Sequence, residues 1–195
     1  DNLLVLMAHE FEFPGGPVVL FAMTEDPCHD AQVVDDANGS SISGPAEQRI
    51  LLASSFGYGF LTQMENLHSR MKAGKAMLTV RDGAEPVMPA VIHSTDVDTI
   101  VCATSDGYLL AFPLEELPEL AKGKGNKMIQ IPPKRLKAGE ERMVGMAVKA
   151  PGEEILVWAG KHYLRMGDKD LEHFRFERAK RGRKLPKGYQ NVTKV

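Results

Sequence analysis

Cysteine and tryptophan are scarce in this 195-residue chain: it holds Cys28, Cys102 and Trp158, and aromatic residues make up only 7% of it. Two cysteines make no disulfide framework. Cys102, inside the apolar run Ile100-Val-Cys-Ala103, reads as a small buried hydrophobe, which fits a reducing compartment. No apolar run reaches the roughly 20 residues that a membrane-spanning helix needs. An initiator methionine is missing, and so is the basic start, apolar stretch and small-residue cleavage site of a secretory leader. The chain therefore reads as a cytoplasmic fragment of something longer.

Convergent chemistry is missing too. The six histidines are scattered, and His29 beside Cys28 has no second pair at zinc spacing. Glu10/Glu12, Glu115/Glu116 and Glu153/Glu154 read as solvated carboxylates, and Asp96 and Asp98 flank a turn. No Ser–His–Asp set or metal-ligand cluster is visible, so no catalytic or metal residues are expected. Trp158 and the ten methionines read as core.

What is present is charge segregation and repetition. The net charge of −2 hides −8 over residues 1–50, −5 over 51–119 and +11 over 120–195. A basic third on an acidic body points to a polyanionic partner. Residues 49–67 and 99–117 align without a gap: Ala53 with Ala103, Ser55 with Ser105, Gly57 with Gly107, Tyr58 with Tyr108, Leu67 with Leu117. A looser copy starts at Glu154. Each copy is a hairpin pattern, two short apolar runs around a Gly-containing turn. A short helical turn follows at Met64–Leu67, Leu114–Leu117 and Asp168–Leu171. Then come a basic loop, a third apolar run (Met77–Val80, Met128–Ile131, Leu185 onward) and a fourth (Val87–His93, Met143–Val148).

Four short strands per fifty residues, without long helical periodicity, predict propeller-type blades that must stack to bury their faces. The expected fold is all-β, an array of four-stranded blades at 49–93, 99–148 and 154–195. Residues 1–48 are expected to form a partial or degenerate blade with strands at Asn2–Ala8 and Val18–Met23. A mobile Gly/Ser-rich loop is expected at Asp35–Pro45.

The loops behind the hairpins also align. They read Arg70-Met-Lys72-Ala-Gly-Lys75, Lys122-Gly-Lys124-Gly-Asn-Lys127 and Arg178-Ala-Lys180-Arg181-Gly-Arg183-Lys184, with Lys187 close behind the last. A lone loop of this kind is commonly a solvated turn; three in register make a basic track suited to a duplex backbone. Glycine would let phosphates approach backbone N–H groups. Interleaved aromatics, needed for stacking single strands, are missing, and Lys122–Lys127 lacks the nucleotide P-loop pattern. These twelve Lys and Arg residues are the candidate DNA contacts. Lys122, Lys124, Arg181 and Arg183 are expected to tolerate charge reversal without loss of stability.

Gly57-Tyr-Gly-Phe60, Ala73-Gly-Lys-Ala76, Val87-Met-Pro89, Phe112-Pro113, Leu117-Pro118 and above all Lys122-Gly-Lys-Gly-Asn-Lys-Met-Ile-Gln-Ile-Pro132 resemble the C-terminal domain of the A subunit of bacterial DNA topoisomerase IV. The resemblance runs from about Arg49 to Lys187. It implies a β-pinwheel whose blades exchange strands, with duplex DNA bound and bent along the outer rim. The related gyrase subunit wraps DNA through a longer Gln/Arg-rich box, which no loop here carries in full, Arg178–Lys184 coming nearest. The family's catalytic tyrosine lies in another domain, so Tyr58, Tyr108, Tyr163 and Tyr189 inherit no nucleophilic role; Tyr58 and Tyr108 are expected to pack between blades. By the same resemblance, ATP and Mg belong to other domains or subunits, and this domain takes no cofactor. The partners it implies are duplex DNA, the N-terminal part of the same polypeptide, and the ATPase subunit. The residues also admit a different reading, a propeller serving as a protein-interaction platform whose acidic N-terminal part meets a basic partner.

Overall fold

The computed structural model describes residues 7–13, 16–22, 49–67, 75–92 and 97–195, with the backbone alone for residues 7–13 and 16–22, Met64, Lys75 and Val91. The loop expected at Asp35–Pro45, the Cys28/His29 pair, and the candidates Arg70 and Lys72 lie outside the described residues.

The chain forms β1 (Met7–Phe13), β2 (Gly16–Ala22), β3 (Arg49–Ser54), β4 (Tyr58–Gln63), β5 (Lys75–Thr79), β6 (Pro86–Ile92), β7 (Thr99–Thr104), β8 (Tyr108–Pro113), β9 (Asn126–Lys127), β10 (Met143–Lys149), β11 (Ile155–Ala159), β12 (His162–Met166) and β13 (Arg183–Lys184). The repeated hairpins are β3–β4 and β7–β8. Both close through three-residue loops, with Gly57 N–H to Ser54 C=O and Gly107 N–H to Thr104 C=O at 2.9 Å. The last loop residue is left-handed in each, Gly57 at φ +79° and Gly107 at φ +80°, the geometry a three-residue hairpin loop requires. The third hairpin, β11–β12, closes through Gly160-Lys161 alone, Ala159 pairing with His162.

Two sheets are complete, ordered β6-β3-β4-β9 and β10-β7-β8-β13. The outer strand of each comes from the following unit. Tyr58 and Gly59 of β4 pair with Lys127 and Asn126, and Tyr108 and Leu109 of β8 pair with Lys184 and Arg183. One unit earlier, β5 pairs with β2 beside β1. A unit's four runs therefore do not make one blade. The exchanging residues also differ from the expected runs at Met128–Ile131 and Leu185 onward. The pairing falls on the ends of the basic loops, while Met128, Ile129 and Leu185 turn inward to the core. At the N-terminus the described strands are Met7–Phe13 and Gly16–Ala22; residues 2–6 and 23 of the strands expected at Asn2–Ala8 and Val18–Met23 lie outside the described residues.

The stacking of consecutive blades explains why the strands of the first two hairpins are apolar. Ile50 and Leu52 face a core with Phe60, Met77 and Leu78. Leu51 and Ala53 face the next core, with Ile100, Cys102, Leu110 and Phe112. Val101 and Ala103 face the third, with Leu109, Val157 and Leu185. Alternate side chains feed cores on opposite faces of one sheet, so both faces are buried and the period-2 polar signal vanishes. Cys102 is buried as expected, and burial pushes its thiol pKa far up, leaving it inert. Two core assignments are corrected: Met88 is 77% exposed, because it points outward from β6, and Trp158 is half-buried with its ring tilted against Tyr163 at 5.0 Å.

Short helical turns follow the first two hairpins at Met64–Leu67 and Leu114–Glu116. A helix absent from the sequence expectations, α1 (Pro133–Lys137), lies between β9 and β10. Pro133 in its first turn tolerates a missing N–H, and Gly139 at φ +72° follows its end. The third hairpin is followed by α2 (Asp168–Glu172).

The buried Lys149 ammonium of β10 reaches Asp168 at the start of α2, whose other oxygen accepts the Gly152 N–H at 2.8 Å. The Lys149 hydrogen bond, then that of Gly152, hold the Asp168 carboxyl below the usual range. A depressed folded-state pKa contributes stability above the unfolded value near 3.9, and this is lost as pH falls through the folded value. Between about pH 5 and about pH 2, the melting temperature of the wild type is expected to fall further than that of Asp168→Asn. Parallel curves from thermal melts would show the clasp adds nothing.

Candidate nucleic-acid interface

Each exchange strand delivers its cations onto the tyrosine of the preceding hairpin. Lys124 Nζ lies 4.8 Å and Lys127 Nζ 5.8 Å from the Tyr58 ring centroid. The Arg181 guanidinium lies 3.7 Å and Lys184 Nζ 5.4 Å from that of Tyr108. The positions correspond: Lys124 and Arg181 precede the exchange glycines Gly125 and Gly182, while Lys127 and Lys184 follow two residues after them. Both tyrosines are half-buried between consecutive units, held by cation–π attraction.

Gly125 and Gly182 meet a constraint that the sequence does not show. A Cβ on Gly125 would sit 2.2 Å from the Gly59 carbonyl oxygen, and one on Gly182 would sit 2.1 Å from that of Leu109. The close approach of two backbones requires glycine at both positions. Gly123, at φ +143°, has open space around it.

Consecutive loops are stitched together by backbone hydrogen bonds. Gly123 N–H donates to Met77 C=O and Thr79 N–H to Gly123 C=O, each at 2.9 Å. One unit on, Gln130 N–H donates to Lys180 C=O and Ala179 N–H to Met128 C=O, again at 2.9 Å. The basic loops at 122–127 and 178–184 thus stand at equivalent places on neighbouring blades.

The candidates differ in how free they are. Lys122 and Lys187 are exposed, and Lys124 and Lys127 are half-exposed; among the described residues none of the four has an ion pair. Lys75 belongs to β5 by its backbone. Lys180 pairs with exposed Glu177 at 3.4 Å. Arg183 lies on His173 at 2.9 Å and over Phe176 at 5.2 Å. Arg178 fastens the loop, its guanidinium donating to Lys127 C=O at 2.6 Å while its N–H donates to Glu116 at 2.8 Å. Lys184 pairs with Asp106 at 3.4 Å.

Arg181 is the most committed. It donates to Glu141 Oε2 at 2.9 Å, and that side chain is 0% exposed. Partial burial opposes the guanidinium's charge, but the hydrogen bond and charge of Glu141 outweigh it and hold its pKa above the ordinary value. Reversing charge at Arg181 would set two carboxylates together in the interior, so the expected tolerance does not extend to this residue.

Three cations escaped the sequence reading. Arg81, Lys137 and Arg142 join Lys127 around a groove of about 560 Å³ whose apolar wall includes Phe56, Tyr58, Ile131 and Leu136. Arg81 lies 5.3 Å from the Tyr58 ring and Arg142 4.7 Å from that of Phe56. They sit in lead-ins to the fourth strands, outside the aligned loops. Arg142 stands opposite Glu85, so no repeated cation marks it in the sequence. The two make the same contact, since Ser55 N–H donates to Glu85 C=O at 2.7 Å and Ser105 N–H to Arg142 C=O at 2.8 Å.

Among the described residues, no group of three or more His, Cys, Asp or Glu side chains could hold a metal ion, and no helix is long and apolar enough to cross a membrane.

Several known proteins are similar to this chain. The family described as DNA gyrase C-terminal domain, beta-propeller, matches residues 48–92 and 98–148. The A subunit of DNA topoisomerase 4 from Pseudomonas aeruginosa is 42% identical over 145 residues, covering 74% of this chain and 19% of that protein. Its counterpart from Haemophilus influenzae is 38% identical over 150 residues, covering 76% and 20%. The solved E. coli ParC C-terminal domain superimposes with a TM-score of 0.68 at 35% identity, covering 75% of this chain and 59% of that one. The chain thus spans about a fifth of the length of the curated relatives it matches. With its all-β blades and this kinship, the chain belongs to the DNA gyrase C-terminal β-propeller family, alongside the C-terminal domains of topoisomerase IV A subunits.

Proposed function

We propose that this domain binds duplex DNA as a non-catalytic element of a type II topoisomerase, on the side carrying its exchange-strand loops. The observation that supports this most is that the basic loops at 122–127 and 178–184 recur at equivalent places on two neighbouring blades, each tied by backbone hydrogen bonds to the unit before it. Repetition at blade spacing suits a ligand whose charge also repeats, and cations without base-reading partners suit backbone contact. Lys122, Lys124, Lys127, Lys180, Arg183 and Lys187 are the proposed phosphate contacts among the described loop cations.

The name the relatives carry, that of the A subunit of DNA topoisomerase 4, extends the proposal to the whole protein. There the domain would hold and bend a DNA segment for strand passage, in decatenation and supercoil relaxation. The catalytic tyrosine would come from the N-terminal part of the same polypeptide, and ATP and Mg would be bound in other domains or by the ATPase subunit. The setting would be the nucleoid. The missing full Gln/Arg-rich box favours bending over wrapping.

Duplex affinity is expected to fall with salt as counterions are recaptured. With about six neutralised phosphates, the log–log slope should be about −5.4, a loss of roughly a thousand-fold or more between about 50 mM and 200 mM salt. Fluorescence anisotropy with a labelled duplex measures this. Equal affinity at both salt concentrations, or no binding at the lower one, would exclude the reading and leave a protein-interaction platform.

A further inference from the structure

The two tyrosine clusters share a geometry but not a charge balance. At Tyr108, Asp106 pairs with Arg135 at 2.9 Å and with Lys184 at 3.4 Å, while buried Glu141 holds Arg181 at 2.9 Å. Each carboxylate stands where the preceding unit has an uncharged residue. Asp106 corresponds to Phe56 through the aligned hairpins. Glu141 corresponds to Ala84 through the matching Ser55–Glu85 and Ser105–Arg142 bonds. The cations at Tyr108 are therefore spent inside the protein.

At Tyr58 those two carboxylates are absent. Lys124, Lys127 and Arg81 lie over the ring, and the adjoining groove adds Lys137 and Arg142 against one carboxylate, Asp82. Arg142 donates to the carbonyls of Leu136 and Glu141, which orients it without cancelling its charge. Among the described residues, none of these five cations has an ion pair. An apolar wall behind them lowers the local dielectric and strengthens their pull on an anion.

We infer that the groove at Tyr58, between the blades headed by β3 and β7, is the principal phosphate-binding site of this domain, and that a phosphate of the duplex backbone occupies it. The denser run Arg178–Lys184 contributes less, since three of its cations, Lys180, Arg181 and Lys184, pair with Glu177, Glu141 and Asp106. The inference rests on the duplex-binding reading and ranks its contacts. Counting charges along the sequence gives the opposite ranking.

The test uses the 195-residue chain with Lys124→Gln, Lys127→Gln and Lys184→Gln, each checked for an unchanged melting temperature. Titration with a labelled duplex at several salt concentrations gives affinity and slope. Lys124→Gln and Lys127→Gln are each expected to weaken binding roughly fivefold to tenfold and to flatten the slope by about one. Lys184→Gln should change affinity less than about twofold, with the slope kept. Equal losses in all three would overturn the ranking while leaving duplex binding intact. If the wild type binds no duplex at low salt, the duplex reading itself fails. Tripolyphosphate then serves as the probe: thermal protection that is absent in Lys124→Gln would mark a free-phosphate site and overturn the duplex as occupant.

Discussion

Gly182→Ala is expected to lower stability by about 3 kcal/mol and the melting temperature by roughly 10 °C. Two costs add. At φ +76° an alanine carries left-handed strain of about 1–2 kcal/mol. Its Cβ also meets the Leu109 carbonyl oxygen at 2.1 Å and Leu110 Cβ at 3.0 Å. A backbone oxygen paired within a sheet cannot move aside as a flexible side chain can, so β13 must lift from β8. Gly83→Ala separates the two costs. It has the same φ of +76° and nothing within 4 Å, so it should lose only about 1 kcal/mol. Thermal melts of both variants decide the matter, and equal losses would show the exchange contact to be slack. Gly125→Ala, 2.2 Å from the Gly59 carbonyl oxygen, should behave like Gly182→Ala.

Phe112→Ala is expected to cost about 3–5 kcal/mol, again with a melting shift of roughly 10 °C or more. Phe112 is fully buried in the core shared by Leu51, Val87 and Ile92 of one blade and Ile100, Leu110 and Met146 of the next. The void would open between two blades held by strand exchange on one side, so little can collapse into it. Phe112→Leu keeps most of the volume and should cost no more than about 1.5 kcal/mol. Chemical denaturation is the check. A loss near 1 kcal/mol for the alanine variant would mean the blades do not share a continuous core.

The parts of the fold legible in the sequence were those set by neighbours along the chain. Gly57 and Gly107 mark hairpin loops because a left-handed residue is needed there whatever surrounds it. Ile50–Ala53 and Ile100–Ala103 read as strands because unbroken apolar runs of this length, bounded by turns, have few other uses. The outer strands are the two residues directly before the expected runs. β9 and β13 are two residues long, and they carry Asn126, Lys127, Arg183 and Lys184, with no apolar signal. Only the waiting edges of β4 and β8 make strands of them. α1 was hidden for a similar reason, since five residues with no buried side chain show no periodicity.

The candidate interface divides along the same line. That a basic, glycine-bearing loop follows each hairpin is written in the residue order, and so is the excess of positive charge after residue 120. Which cations remain free is decided by folding. Glu141 lies forty positions before Arg181, and Asp106 seventy-eight before Lys184, so no local pattern links them. Sequence by itself determined the repeated hairpins, their loops and the sign of the charge, because these depend on local conformation and composition. The tertiary structure decided which residues form the outer strand that each of the two complete sheets takes from the following unit. It also decided that the most basic loop is the more neutralised one, because Coulomb pairing depends on distance through space.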